Sequence, residues 1–423
     1  MTAPGSAHAQ RTQRHFVILT VLRWFPTGLI VPVMVMILRE RGLDLGTIGL
    51  LGVIYAVATI ALELPTGGLS DVMGRRPVLV TSALIAGVSS MALAFGTTIG
   101  TLTIGYLALG VSRALDSGTL QAWFVDQVRQ DDASAPIRSW LARAGVAESL
   151  GLGVGALSCG GLVAWSPFAS NGNGGLIAMS TPFIVSAALS LVHTLIIARW
   201  IHARPRGSRP TVGDIMCDVR HTISTGLRLA AQRGTLRRIA MLTLGAGVAL
   251  SSIELLAPEQ FSQIVGDDAA SIYSVLVTAG FVGSATGSAL APIAVRICRT
   301  VPRAMLVSVL GAAVTLAFVS LPAFWAAAVA FVGFYVMLGI SGPLLNEITH
   351  DAVTSRERAT ILSVNSMALQ SGGIIAKLTV GFLAAATSVA AGLIAGAIAL
   401  GLFSVVLFAW PKEEVATTPR ASA

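Results

Sequence analysis

Charge is what this chain lacks. Only 11% of its 423 residues are Asp, Glu, Lys or Arg, while 54% are hydrophobic and the mean hydropathy is +0.79. A water-soluble domain carries about 25% charged residues, so the composition excludes one and leaves an integral membrane protein. Lysine is nearly missing: among 28 basic residues only Lys377 and Lys412 are lysines, a compositional bias that carries no functional weight. Cys159, Cys217 and Cys298 have neither metal-ligand nor disulfide-framework spacing, so no metal site is expected. Catalytic constellations are missing too. The histidines stand far from any Cys or Ser nucleophile pattern, no phosphate-cradling loop with a following Lys occurs, and Gly151-Leu152-Gly153-Val154-Gly155 does not complete a dinucleotide fingerprint. No enzyme and no cofactor are expected.

The formal net charge of +8 does not point to nucleic acid, because the bases stand singly at the ends of apolar runs and form no patch. They read as topology signals. Arg11 and Arg14 precede an apolar stretch as in a signal peptide, but that stretch outruns signal length and no small-residue cleavage site follows. It is kept as the first span.

What is present is a series of apolar windows, each near the ~20 residues that cross a ~30 Å hydrocarbon core as a helix. Twelve are found, at about 16–38, 45–66, 78–96, 99–125, 139–165, 180–200, 239–260, 270–294, 303–322, 324–349, 360–384 and 387–410. Arg39 and Arg41 fall on one side and Arg23, Arg113 and Lys377 inside spans; the remaining bases share the side of both termini. The positive-inside rule then places both termini in the cytoplasm.

The expected organisation is a cytoplasmic tail over 1–15, a six-helix bundle over 16–200, a cytoplasmic loop over 201–238, a second six-helix bundle over 239–410 and a tail over 411–423. Within the loop, Ile215, Val219, Ile223 and Leu227 recur every four residues. The segment 212–233 is thus either an interfacial amphipathic helix or a plain solvated linker.

Between the second and third windows lies Gly67-Gly68-Leu69-Ser70-Asp71-Val72-Met73-Gly74-Arg75-Arg76-Pro77. Its glycines tolerate positive φ and Pro77 suits the first turn of a helix, so the stretch predicts a tight membrane hairpin. The order Gly67, Asp71, Gly74, Arg75, Arg76 between two spans resembles the loop signature of the major facilitator superfamily. A weak internal repeat agrees: Gly287-Ser288-Ala289-Leu290 precedes Arg296, Arg299 and Arg303 in the second half, without the acid. In span 5, Ala156-Leu157-Ser158-Cys159-Gly160-Gly161 keeps the closing glycine pair of the element found in the superfamily's twelve-span drug/proton antiporters and loses its Gly-Pro.

The resemblance implies two pseudo-symmetric six-helix bundles that alternate access to a central site by rocking. It also implies a latch in which Asp71 caps the start of span 11 and bonds Arg75, which meets an acid at the end of span 4, here Asp126. An anion at a helix N-terminus is favoured by the helix dipole. The alternative is a solvated turn.

Ionisable groups inside spans are costly and usually face a cavity or a partner. At ~1.5 Å per residue, Arg23 and Glu148 lie about 13 Å from the cytoplasmic end, Asp116 about 15 Å and Arg113 about 20 Å. In the second half, Glu254 and Lys377 lie about 22–26 Å in and are placed to face each other. These six form the candidate substrate- and proton-coupling set. Asp116 leads, with Arg113 one turn away as its expected partner; a static buried ion network is the competing reading. Glu63 and His193 read as interface and packing residues, and Trp24, Phe25 and Trp123 either as packing or interface anchors or as the lining of a pocket for aromatic substrates.

Efflux of a hydrophobic or amphipathic small molecule in exchange for protons is the favoured function, since the cavity charges are few and the span surface is Ala, Leu, Val and Gly. The alternatives are a proton-coupled importer of a nutrient or organic anion, with Arg23 and Arg113 as anion contacts, and a receptor or assembly partner that transports nothing. The expected partners are a small molecule, protons and the lipid bilayer, with the chain a multi-pass monomer in the plasma (inner) membrane.

Overall fold

The computed structural model describes residues 4–131, 137–168, 175–202, 224, 228–229, 231–354, 357–408 and 410. The helices of the first half are α1 (Pro4–Ile30), α2 (Met34–Glu40), α3 (Leu45–Met73), α4 (Arg75–Phe95), α5 (Ile99–Asp116), α6 (Thr119–Asp131), α7 (Arg138–Ala164) and α8 (Ser180–Trp200). Those of the second half are α9 (Gly234–Val265), α10 (Ala269–Cys298), α11 (Val301–Phe318), α12 (Phe324–Asp351), α13 (Arg358–Ala386) and α14 (Val389–Ser404). With α1 and α2 forming the first crossing and α5 and α6 the fourth, the described helices make twelve crossings. The protein is an all-α membrane protein in two six-span halves. The face on which α1 begins is called here the terminus-side face, and the other the far face.

Helix starts are written locally. Asp44 caps α3 through Thr47 N (3.1 Å) and Thr47 Oγ1 (2.6 Å), while Thr98, Thr300 and Ser388 cap α5, α11 and α14 by the same side-chain-to-amide bond. Each satisfies an orphan amide at a helix end.

Three boundaries differ from expectation. The tail read over 1–15 is helical from Pro4, and α9 starts at Gly234, inside the segment read as loop; polar turns outside the hydrocarbon extend a helix without showing in hydropathy. The hairpin predicted over Gly67–Pro77 is narrower than expected. Helix α3 runs through Gly67 and Gly68 to Met73, and the chain reverses at Gly74 alone, at φ +94°. A glycine inside a helix costs only about 1 kcal/mol, and propagation adds a backbone bond per residue. Span 4 is broken directly after Asp116, where Gly118 takes φ +68°. The segment 212–233, read as an interfacial helix or a solvated linker, lies mostly outside the described residues.

The two halves repeat one pairing scheme. In the first, α1 packs on α7, α3 and α4 on α5, and α4 on α8; in the second, α9 packs on α13, α10 and α11 on α12, and α11 on α14. The internal repeat, faint in sequence, is therefore plain in the packing. Close approach by glycine is repeated as well: a Cβ on Gly28 would stand 2.4 Å from Leu152 O, and one on Gly247 would stand 2.0 Å from Leu369 O. Small residues let spans pack backbone to backbone in lipid, where helix association depends on dispersion and hydrogen bonds. The halves meet along α3 with α13 and α7 with α10.

Candidate functional site

A cavity of about 640 Å³ lies between the halves. Most of its wall is apolar or aromatic, and its ionisable groups come from both sides of the interface.

In the first half the central feature is the ion pair of Arg23 Nε with Asp116 Oδ2 at 2.5 Å, with Arg23 Nη1 also donating to Thr27 Oγ1 at 3.0 Å. Arg113 does not pair with Asp116 as the one-turn spacing predicts. Its guanidinium lies over the Trp24 ring, 4.7 Å from the centroid, with that of Arg23 at 5.2 Å. Two guanidiniums compete for one carboxylate; the Arg23 side chain, crossing from α1, takes it, and the indole face holds the other by cation–π attraction. Trp24, read from the sequence as a packing anchor or as pocket lining, is part of the charged wall. Glu148 lies within electrostatic reach of Arg113, Arg23 and Asp116 but is not among the cavity-lining residues.

In the second half Glu254 and Lys377 both line the cavity and are within electrostatic reach of each other, without a direct ion pair among the described residues. Lys377 crosses the interface instead. Its stem runs along α3, where a Cβ on Gly52 would touch Lys377 Cδ at 2.8 Å, and its ammonium lies 6.0 Å from the Tyr55 ring centroid. Tyr273 and Tyr335 share the field of Glu254. They continue an aromatic cluster in which Phe331 meets both rings at 5.1–5.7 Å. Neutral tyrosines gave no charge signal to find them by.

Two residues read as structural acquire positions in the site. Glu63 accepts from Ser117 Oγ at 3.0 Å in its own half and from Ser366 Oγ at 3.2 Å in the other, so it joins the halves. His193 lines the cavity and is 5% exposed, and its Nε2 has no hydrogen-bond partner among the described residues.

Of the predicted latch, Arg75 donates to Asp126 Oδ2 at 3.4 Å and also to the Ser70 hydroxyl, and Gly74 supplies the turn. The side chains of 64–69 and 71–72 lie outside the described set, so Gly67 is placed by its helical backbone only, and the predicted contacts of Asp71 lie outside the described residues. Arg76, half-buried, adjoins the turn.

Near the far face the halves converge. Arg39 Nε and Nη2 hold Glu259 at 2.8 and 3.0 Å, joining α2 to α9. Close approaches also follow the interface: a Cβ on Gly49 would stand 2.5 Å from Lys377 O, and one on Gly160 would stand 3.1 Å from Ser271 Cα. A carboxylate with two arginines and an indole in one wall, and an acid with an ammonium in the other, can bind a charged or amphipathic molecule and exchange a proton.

Among curated proteins the chain is similar to tetracycline resistance protein class B of Escherichia coli, 30% identical over 187 residues, 43% of this chain and 42% of that protein. It is also similar to the class D protein of Salmonella ordonez, 29% identical over 183 residues with the same coverage of each. The matches thus span less than half the length of these relatives. Among solved structures, the fold is that of the nucleoside transporter NupG, with a TM-score of 0.74 at 13% identity over 95% of this chain and all of that one. A bacterial homologue of the lysosomal transporter Spinster, described as inward-facing and occupied, gives a TM-score of 0.65 at 13% identity over 96% of this chain and 97% of that one. Residues 16–377 match the family profile of the Major Facilitator Superfamily, and the chain, a multi-span membrane transporter, belongs to that superfamily.

Proposed function

We propose that the protein exports an amphipathic small molecule across the plasma (inner) membrane in exchange for protons, as a monomer with both termini in the cytoplasm. The observation that carries this reading is the Arg23–Asp116 pair in the wall of the central cavity. When Asp116 is ionised, Arg23 is neutralised and held. When Asp116 takes a proton, its attraction for Arg23 falls, and the guanidinium keeps Thr27 and the Trp24 face as partners. A proton and a cationic group of the bound molecule thereby compete for one carboxylate, which is the requirement for exchange.

The direction is supported by the partial likeness to tetracycline resistance proteins, and the substrate class by a wall rich in apolar and aromatic groups. Glu254 and Lys377 supply the second half's share of the coupling set, and Arg75–Asp126 acts as a latch for the terminus-side ends. In alternating access the two halves rock about the cavity, opening and closing the Arg39–Glu259 and Glu63–Ser366 contacts in turn.

The test is growth of a pump-deficient bacterial host against a panel of toxic compounds that includes tetracycline, with the intact protein, Asp116→Asn and an empty vector compared at matched membrane expression. Export predicts resistance to some members of the panel with the intact protein only. Unchanged or increased sensitivity from well-expressed intact protein overturns export and points to uptake.

A further inference from the structure

A second pocket, of about 490 Å³, sits apart from the central cavity at the terminus-side end of the first half. Three helices build it: Arg11, Thr12 and His15 come from the start of α1, Trp123 and Gln127 from α6, and Arg199 and Trp200 from the end of α8, with His202 two residues beyond it. Among the described residues no Asp or Glu lines it. The acid beside it on α6, Asp126, is engaged by Arg75. Its described lining donors are therefore two guanidiniums, two imidazoles, a hydroxyl and a carboxamide, a set in which the two arginines carry positive charge.

The apolar parts of the pocket are ordered. The His15 ring stacks on Trp200 with centroids 4.1 Å apart and planes 11° apart, which fixes the imidazole in orientation. Trp123 is buried and belongs to the same apolar cluster as Phe16 and Phe124, which stack at 4.2 Å, so the Trp123 side of the pocket has an apolar base. A long cationic side chain on a solvated face needs no such base. Arginines with paired donors suit phosphate oxygens, tryptophans mark the depth of lipid headgroups, and basic pockets between spans bind anionic headgroups.

We infer that this pocket binds the phosphate group of an anionic ligand, supplied either by a phospholipid headgroup or by free phosphate. The bound group would sit between Arg11 and Arg199 and so bridge the ends of α1 and α8, the same α1 whose Arg23 lies deeper in the central cavity.

The experiment uses the full-length protein in phosphatidylcholine nanodiscs. In one arm phosphatidylglycerol is added and lipid retention is read by native mass spectrometry; in the other, inorganic phosphate is titrated at constant ionic strength while tryptophan fluorescence is followed. The expected result is a several-fold preference for phosphatidylglycerol over phosphatidylcholine that is lost in Arg11→Gln/Arg199→Gln and kept in Arg237→Gln/Arg238→Gln, with a flat phosphate titration. A saturable phosphate response that depends on Arg11 and Arg199, without lipid preference, supports the pocket and assigns free phosphate as its source. A flat response in both arms overturns the inference, as does equal loss in both arginine pairs, which would reflect general surface charge. Should the first pair fail to fold, Arg199→Gln and His202→Gln, both at exposed positions, are read singly, with a loss of at least about twofold expected and no change counting against the pocket.

Discussion

Arg39 and Glu259 form a two-pronged ion pair, 2.8 and 3.0 Å long, that fastens the far end of the first half to the second. The carboxylate side is 11% exposed and the arginine 37%, so water screens it in part, and a value of about 1 kcal/mol at most is the fair expectation. That is still about fivefold in a two-state equilibrium. Glu259→Gln should therefore raise the population open at the far face by up to about fivefold, measured by distances between spin labels placed on the far-face ends of the two halves. An unchanged distance distribution would remove the pair from gating.

The approach of α3 to α13 at Gly49 is closer than any side chain permits. A Cβ there meets the Lys377 carbonyl at 2.5 Å, and backbone cannot swing aside as a side-chain tip does. Gly49→Val should hold the halves apart near the far face, at an overpacking cost of about 1–3 kcal/mol. Turnover should fall at least tenfold while substrate still binds at equilibrium. Full turnover in this variant would show that the two helices need not approach this closely.

His193 provides a sharper contrast. Its Nε2 is buried and has no hydrogen-bond partner among the described residues, a condition that ordinarily costs about 1–3 kcal/mol. His193→Leu should leave the thermal unfolding midpoint unchanged or raise it, and weaken apparent substrate affinity by about tenfold, the worth of one hydrogen bond to a charged group. A lower midpoint with unchanged affinity would make the histidine a packing residue, as its place in an apolar span first suggested.

Acid should act at Asp44. Bonds from Thr47 hold its carboxyl below the ordinary carboxylate value, so the ionised form is the one the fold favours. The cap's contribution is complete above the unfolded carboxyl's pKa of about 4 and fades as pH falls through the lower folded value. Asp44→Ala should cost about 1 kcal/mol at neutral pH, and the gap between its unfolding midpoint and that of the parent should close toward strongly acidic pH. A constant gap would mean that the loss has another origin.

The twelve crossings were legible because hydrocarbon thickness fixes helix length and leaves few ways to satisfy the backbone. The charged residues of the cavity were legible for the related reason that Asp116, Arg23, Arg113, Glu254 and Lys377 are expensive anywhere else. Their partners were not. Spacing along α5 puts Arg113 beside Asp116, but the rotation of an apolar helix leaves no mark in its sequence, and only packing shows that the Arg23 side chain reaches the carboxylate while Arg113 rests on Trp24. Glu63 was hidden by its nearness to the loop, from which a long side chain ordinarily reaches water; in the fold it turns inward to Ser117 and Ser366. Helix α3 concealed its true end because glycine and serine near an interface read as a turn whether or not the helix goes through them.

The chain has two lysines, and one of them, Lys377, stands in the cavity wall. Covalent chemistry directed at ε-amines thus has almost no background in this protein. With Lys412 changed to arginine, acylation at a lysine becomes a single-position reaction, and its rate reports how freely a reagent enters between the halves.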